Sequence, residues 1–214
     1  MIRYSLLAAP LLLAACTDAA PPTEEQTANP QDAFWSALST HCSNAYSGEL
    51  VSNDAADADM QGAEMVMHVR TCEEDRITVP FHIKQTGGEW DRSRTWVFTR
   101  TDSGIRLKHD HRHEDGKPDA VTMYGGDTAD SGTAARQSFP VDAESIAMFQ
   151  REGLDASVTN VWSVEVLPAD TPSAQYAYQL TRTKAGGAPE DRNFRVVFDL
   201  TTPIDPPPAP WGFE

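Results

Sequence analysis

The chain has 214 residues, with 32 acidic against 17 basic side chains and a formal charge of −15. A surface this acidic repels nucleic acid and anionic membrane, both of which are bound through basic patches that release counterions, and the one basic cluster, residues 92–108, is interrupted by acids. No segment carries the roughly 20 consecutive apolar residues of a membrane-spanning helix.

The first residues have the three parts of an export signal: one basic residue (Arg3), an apolar core over 6–13, and small residues after it. The run Leu13-Ala14-Ala15-Cys16 resembles the lipobox of bacterial lipoproteins. That resemblance implies cleavage of a signal peptide (1–15) and a diacylglyceryl group on Cys16, so the partner at this end is a membrane, reached through lipid. Loss of residues 1–15 removes Arg3 alone among the charges and takes −15 to −16. Thr17 in place of an aspartate directly after the cysteine implies an outer-membrane address facing the periplasm, while Asp18 one place on leaves inner-membrane retention open. With Cys16 lipidated, Cys42 and Cys72 remain, and in an oxidising compartment they are expected to pair. A bond across that loop contributes about 3.5 kcal/mol in a chain-entropy description. A metal site or a reactive thiol is the alternative use of the pair.

Residues 16–31 contain Pro and small polar residues with no large apolar side chain, which reads as a flexible tether. Residues 32–214 are then a single domain, long enough for one sizeable core. Asp32 is placed to cap a helix whose Phe34, Trp35, Leu38 and Cys42 form an apolar stripe. After it come ten β-type runs, at 45–52, 63–72, 76–84, 94–101, 105–113, 120–124, 135–139, 159–167, 174–183 and 193–201. Asp102-Ser103-Gly104 and Gly186-Gly187 lie between such runs as turns, so the strands should pair mostly antiparallel. Residues 142–151 suit one short additional helix. The pattern predicts an all-β fold, preferably a mostly antiparallel, lipocalin-like barrel and alternatively a sandwich, of about 8–10 strands.

The densest chemical signal is Leu107-Lys108-His109-Asp110-His111-Arg112-His113-Glu114. On a strand, alternation places His109, His111 and His113 on one face and Lys108, Asp110, Arg112 and Glu114 on the other. Neighbouring same-face histidines lie about 6.6 Å apart and can converge on one divalent transition metal, but the outer two are about 13 Å apart. A metal site would therefore need a further ligand, with His68, His82, Glu64 and Asp127 available by type. A solvated ladder or hydrogen bonding to neighbouring strands accounts for the same histidines without metal. The preceding strand carries Arg94, Trp96 and Phe98, which are placed to line a mixed aromatic and imidazole pocket. A two-residue loop at Ser103-Gly104 sets Phe98 opposite His109 and Trp96 opposite His111; a three-residue loop aligns the histidines with Val97 and Thr99 instead.

Tyr124-Gly125-Gly126-Asp127 reads as a glycine-rich turn, with no helix opening after it to make a phosphate cradle. Residues 115–119 lack the ligand pattern of a calcium loop. No Gly-x-Ser-x-Gly elbow, His-Glu-x-x-His helix or Walker loop occurs.

The segments Arg92-Ser93-Arg94-Thr95-Trp96, 108–116, Tyr124-Gly125-Gly126, Asn160-Val161-Trp162 and 194–200 are similar to those of a family of uncharacterised proteobacterial secreted or lipoprotein-like proteins. The similarity covers most of the chain after the tether and implies one intact domain with no assigned activity. The leading expectation is a non-enzymatic envelope lipoprotein whose β-domain binds a small ligand or an envelope protein. The alternatives are a metal-dependent enzyme using His109 and His111 as ligands, and a structural envelope component.

Overall fold

In a computed structural model of the chain, Met1 and residues 29–214 are described. The lipobox, Cys16 and most of the tether therefore lie outside the described residues.

The chain enters through helix α1 (Pro30–Ser39). Its cap is Asn29, whose side chain accepts from the Gln31 N–H, and Pro30 occupies the first turn, so the expected cap at Asp32 is displaced. Proline suits this place because its missing N–H has no helical partner there. Asp32 pairs instead with Arg100, whose guanidinium lies 4.8 Å over the Trp35 ring. Phe34, Trp35, Ala37 and Leu38 are buried, as the helical stripe required, and the helix ends before Cys42.

Eleven strands follow: β1 (Ala45–Leu50), β2 (Met65–His68), β3 (Thr71–Cys72), β4 (Arg76–Lys84), β5 (Trp90–Thr101), β6 (Gly104–His111), β7 (Tyr124–Asp127), β8 (Arg136–Pro140), β9 (Val161–Val166), β10 (Gln175–Arg182) and β11 (Arg192–Asp199). All pairings are antiparallel, and the order is β7-β6-β5-β4-β2-β1-β11-β10-β9-β8, with β3 added beside β4. One sheet thus curls into a nearly closed barrel, and its two ends, β7 and β8, come together at a seam. There the Asp142 N–H donates to the Gly125 carbonyl at 2.9 Å, and the Gly125 N–H donates to Ser145 Oγ at 2.8 Å. Asp142 caps α2 (Ala143–Arg151), so the second helix is fastened across the seam.

The seam explains why the expected glycine turn is a strand. A Cβ at Gly125 would lie 1.9 Å from the Leu107 carbonyl oxygen, and one at Gly126 would lie 1.7 Å from that of Pro140. Only glycine lets both backbones approach so closely. The strand expected at 120–124 begins later as a result, and residues 120–123 form a loop that ends with Met123 at φ 56°. The run expected at 63–72 is likewise split in two. Val69 leaves the ladder because its N–H and C=O are taken by the turn at Ser43 and Asn44. The Cys42–Cys72 disulfide joins the end of the α1 segment to β3.

Inward-facing residues of all sides fill the barrel with aromatic rings. Trp96 stacks on Phe81 at 4.8 Å and on Tyr178 at 4.6 Å, and Phe198 meets both Trp96 and Phe81 edge-on. α1 closes the end of the barrel near the β5–β6 turn, where Phe34 packs on Phe98 at 6.4 Å. Outside, residues 202–214 form a proline-rich strap across the sheet. Ile204 bonds to Ala45 on β1, the Ala209 carbonyl accepts from Arg92, and the Trp211 N–H donates to the Arg92 carbonyl. At its end the Phe213 carbonyl accepts from Arg70 while Arg112 lies over the Phe213 ring.

Candidate functional site

The β5–β6 hairpin decides which side chains meet at the open end of the barrel, and it adopts neither of the two expected registers. Thr101 pairs with Gly104, so the two-residue turn is Asp102-Ser103. Gly104 takes φ +149°, and a Cβ there would meet Thr128 Oγ1 at 2.3 Å. Trp96 consequently stands opposite His109, Arg94 opposite His111, and Phe98 opposite Leu107. Of the three expected pocket residues, Arg94 and Trp96 line a cavity, while Phe98 sits deeper in the core against α1 and does not.

The cavity holds about 170 Å³ and lies opposite the end that α1 closes. Its floor is apolar, built from Phe81, Ile83, Trp96, Leu180 and Phe194, with Met60 contributed from above. Met60 belongs to a 3-10 turn (Ala55–Met60) in the β1–β2 connection. Asp57 of that turn is 1% exposed and is gripped by both Arg192 Nη atoms, at 2.6 and 2.5 Å, with Asp54 3.0 Å from the same guanidinium. A buried carboxylate held bidentately by arginine is a strong, directional contact, so this turn is seated as a cover over one side of the cavity. A wider polar groove of about 700 Å³ shares Met60, Ile83 and Arg94 with it and leads outward.

The polar side of the cavity comes from β5, β6 and β7. His109 is buried: its Nδ1 donates to the Tyr124 carbonyl at 3.0 Å, and the Tyr178 hydroxyl donates to Nε2 at 2.8 Å. Both nitrogens are therefore engaged by protein atoms, and the ring stacks on Tyr124 at 4.7 Å. Desolvation lowers its pKa to about 3, so it is neutral near pH 7. His111 Nε2 lies 3.1 Å from the Tyr124 hydroxyl, and burial, reinforced by the Arg94 charge, lowers its pKa to about 4. Burial raises the Tyr124 hydroxyl to about 12. The neutral pair offers one spare donor in either tautomer: Nδ1–H if the hydroxyl donates to Nε2, the hydroxyl proton if Nε2–H donates to the oxygen. Arg94 Nη1 bonds to the carboxylate of Asp91 and to Ser93 Oγ, while Nε and Nη2 have no hydrogen-bond partner among the described residues.

The third histidine stands apart. β6 ends at His111, and His113 is an exposed residue of the following loop, with Nε2 3.8 Å from Asp119. The proposed further ligands are elsewhere: Glu64 pairs with Lys84 at the surface, Asp127 with Arg106, and His68 and His82 belong to the outward-facing positions of β2 and β4. Among the described residues no group of three or more His, Cys, Asp and Glu side chains is arranged to hold a metal ion. The opposite face of β6 follows the expected alternation, with Lys108 reaching Asp142 at 2.7 Å and Asp110 reaching Arg112 at 3.0 Å.

Sequence reasoning missed the cover turn and its Arg192 anchor, although Phe194, Tyr178 and Leu180 carry the period-2 pattern that marks inward positions. It offered His82 only as a metal ligand by type and did not anticipate that it is fully buried on the outer face, with neither ring nitrogen partnered among the described residues. Desolvation, with the nearby Arg92, His68 and Arg70, lowers its pKa to about 4.

No protein-family model matches the chain, and no curated protein matches it.

Proposed function

We propose that this chain is a lipid-anchored envelope protein whose barrel binds a small ligand in the cavity at its open end. The observation that carries the reading is a cavity with an aromatic floor, a few hydrogen-bonding groups along one side, and a latched cover. Ligand sites have this mixture of apolar lining and sparse polar groups. A volume of about 170 Å³ suits one ring, since a buried apolar cavity of about 150 Å³ takes up benzene. With both His109 nitrogens engaged by Tyr124 and Tyr178, that residue serves to fix the cavity wall.

The reading is tested by thermal unfolding of the purified protein in the presence of monocyclic aromatic compounds, compared with a Met60→Trp variant that fills the cavity. Compounds that bind are expected to raise the Tm of the wild type and leave that of the variant unchanged. Equal behaviour of the two proteins would remove the cavity from the reading.

The anchoring rests on the lipobox resemblance. In bacteria, Cys16→Ser is expected to move the protein from the membrane to the soluble fraction, with loss of the acyl mass from its N-terminal peptide. An unchanged membrane fraction would overturn the lipid anchor.

A further inference from the structure

We propose that the ligand is a monocyclic carboxylate, its ring seated on the aromatic floor and its carboxylate held by Arg94 beside the His111–Tyr124 pair. This inference rests on the ligand-binding reading above and adds the chemical class.

The first support is what remains unused at Arg94. The Asp91 carboxylate and Ser93 Oγ both take Nη1, which leaves the side-on edge made of Nε and Nη2. That edge presents two parallel N–H groups whose spacing matches the two oxygens of a carboxylate. The same molecule shows the match elsewhere: Arg106 uses Nε and Nη2 to hold both oxygens of Asp127, at 2.6 and 2.8 Å. Asp91 is well placed to orient the guanidinium, since its other oxygen is already fixed by the Ser93 N–H at 3.0 Å.

The second support is the direction of the other polar groups. The His111–Tyr124 pair has a donor to spare in either tautomer. Asp57, which lines the cavity, is committed to Arg192 through both oxygens, and Asp91, which touches Arg94, to Arg94 and Ser93, while Asp59 and Glu64 line only the adjoining groove. The free hydrogen-bonding capacity at this cavity is thus mainly donating, which calls for an acceptor on the ligand. The third support is size. The floor of Phe81, Ile83, Trp96 and Phe194 bounds a space for one ring, and Arg94 stands where that space opens into the polar groove.

The probes are benzoate, benzamide and toluene, which share a ring and differ in the group presented to Arg94, titrated calorimetrically into the full chain at pH 7. Benzoate is expected to bind about tenfold or more tightly than benzamide, the difference made by a charge-assisted pair of hydrogen bonds. Arg94→Gln is expected to abolish that preference and leave toluene binding unchanged. Arg94→Lys retains the charge beside Asp91 while losing the fork, so it is expected to lower the benzoate preference too and guards against a folding defect in the glutamine variant. Equal binding of benzoate and benzamide, or an Arg94→Lys variant that keeps the full preference, would overturn the carboxylate assignment while toluene binding upheld the cavity. Failure of all three probes, toluene included, would overturn the ligand-binding reading itself.

Discussion

Acidification from pH 6.5 to 4 is expected to unfold this protein, with a steep loss of stability across the whole interval. His109, His111 and His82 have folded-state pKa values of about 3, 4 and 4, all held down chiefly by desolvation. In an unfolded chain the same groups titrate near the ordinary value of about 6.5. Above pH 6.5 neither state takes up these protons, so they leave stability unchanged. Between about 6.5 and 4 the unfolded chain binds three protons that the folded protein does not. Each such proton costs about 1.4 kcal/mol per pH unit, so the three together approach 4 kcal/mol per unit in the middle of the window. Below about 4, His111 and His82 begin to protonate in the folded state as well, and only His109 continues to add to the loss. The depressed carboxyls of Asp91, Asp142 and Glu165 then act in the same direction, since they favour the folded state only while ionised. By pH 4 the three histidines together remove roughly 9 kcal/mol, which exceeds the stability of a domain in the lower half of the usual range of about 5–15 kcal/mol.

Urea unfolding at pH 8, 7, 6 and 5 measures that slope directly. His82→Leu is the informative variant, because the imidazole has no hydrogen-bond partner to lose among the described residues. It is expected to flatten the pH dependence by about 1.4 kcal/mol per unit and to leave the stability at pH 8 nearly unchanged or improved. A slope equal to that of the wild type would show that His82 protonates as easily in the folded protein as in the unfolded one.

The residues of this constellation differ in how far they were legible beforehand. Period-2 alternation separated His109 and His111 from Lys108 and Asp110 on the two faces of β6, because alternation is a property of every strand whatever its partners, but it left open whether Trp96 or Val97 would face the histidines. Register is not a local property. The shift that set Arg94 opposite His111 came from a turn built on Asp102-Ser103 and from the space that only Gly104 leaves for Thr128. The same limit applies to β7: Gly125 and Gly126 are turn-forming residues by composition, and they form a strand because β6 and β8 crowd it from both sides. Asp57 was one acid among 32 until the fold brought Arg192 to it across 135 residues. The burial of His82, an outward position of β4, is likewise set by what the fold packs around that strand and not by its own neighbours in sequence.

Trp96→Ala is expected to be the most damaging single substitution in the core and to open the floor of the cavity. The indole is 2% exposed, with Phe81 stacked on it at 4.8 Å and Tyr178 at 4.6 Å, Tyr176 a further stacked neighbour at 5.6 Å, and Phe198 edge-on at 6.2 Å. Those rings come from β4, β10 and β11, so Trp96 joins opposite walls of the barrel across its interior. Truncating a buried tryptophan costs about 3–5 kcal/mol through lost transfer energy and an unfilled void. The upper part of that range applies here, because four rings fixed in their own strands cannot close the gap. For a domain of this size the Tm falls by roughly 10 °C or more. Trp96→Phe keeps a ring for Phe81 and Tyr178 to stack on and is expected to lose less than half as much. The cavity should respond separately from stability: without the indole its floor is open, so toluene is expected to bind more weakly at temperatures where the variant is still folded. A Trp96→Ala variant less than about 1 kcal/mol below the wild type would mean that the sheet ladder alone holds the barrel walls in register.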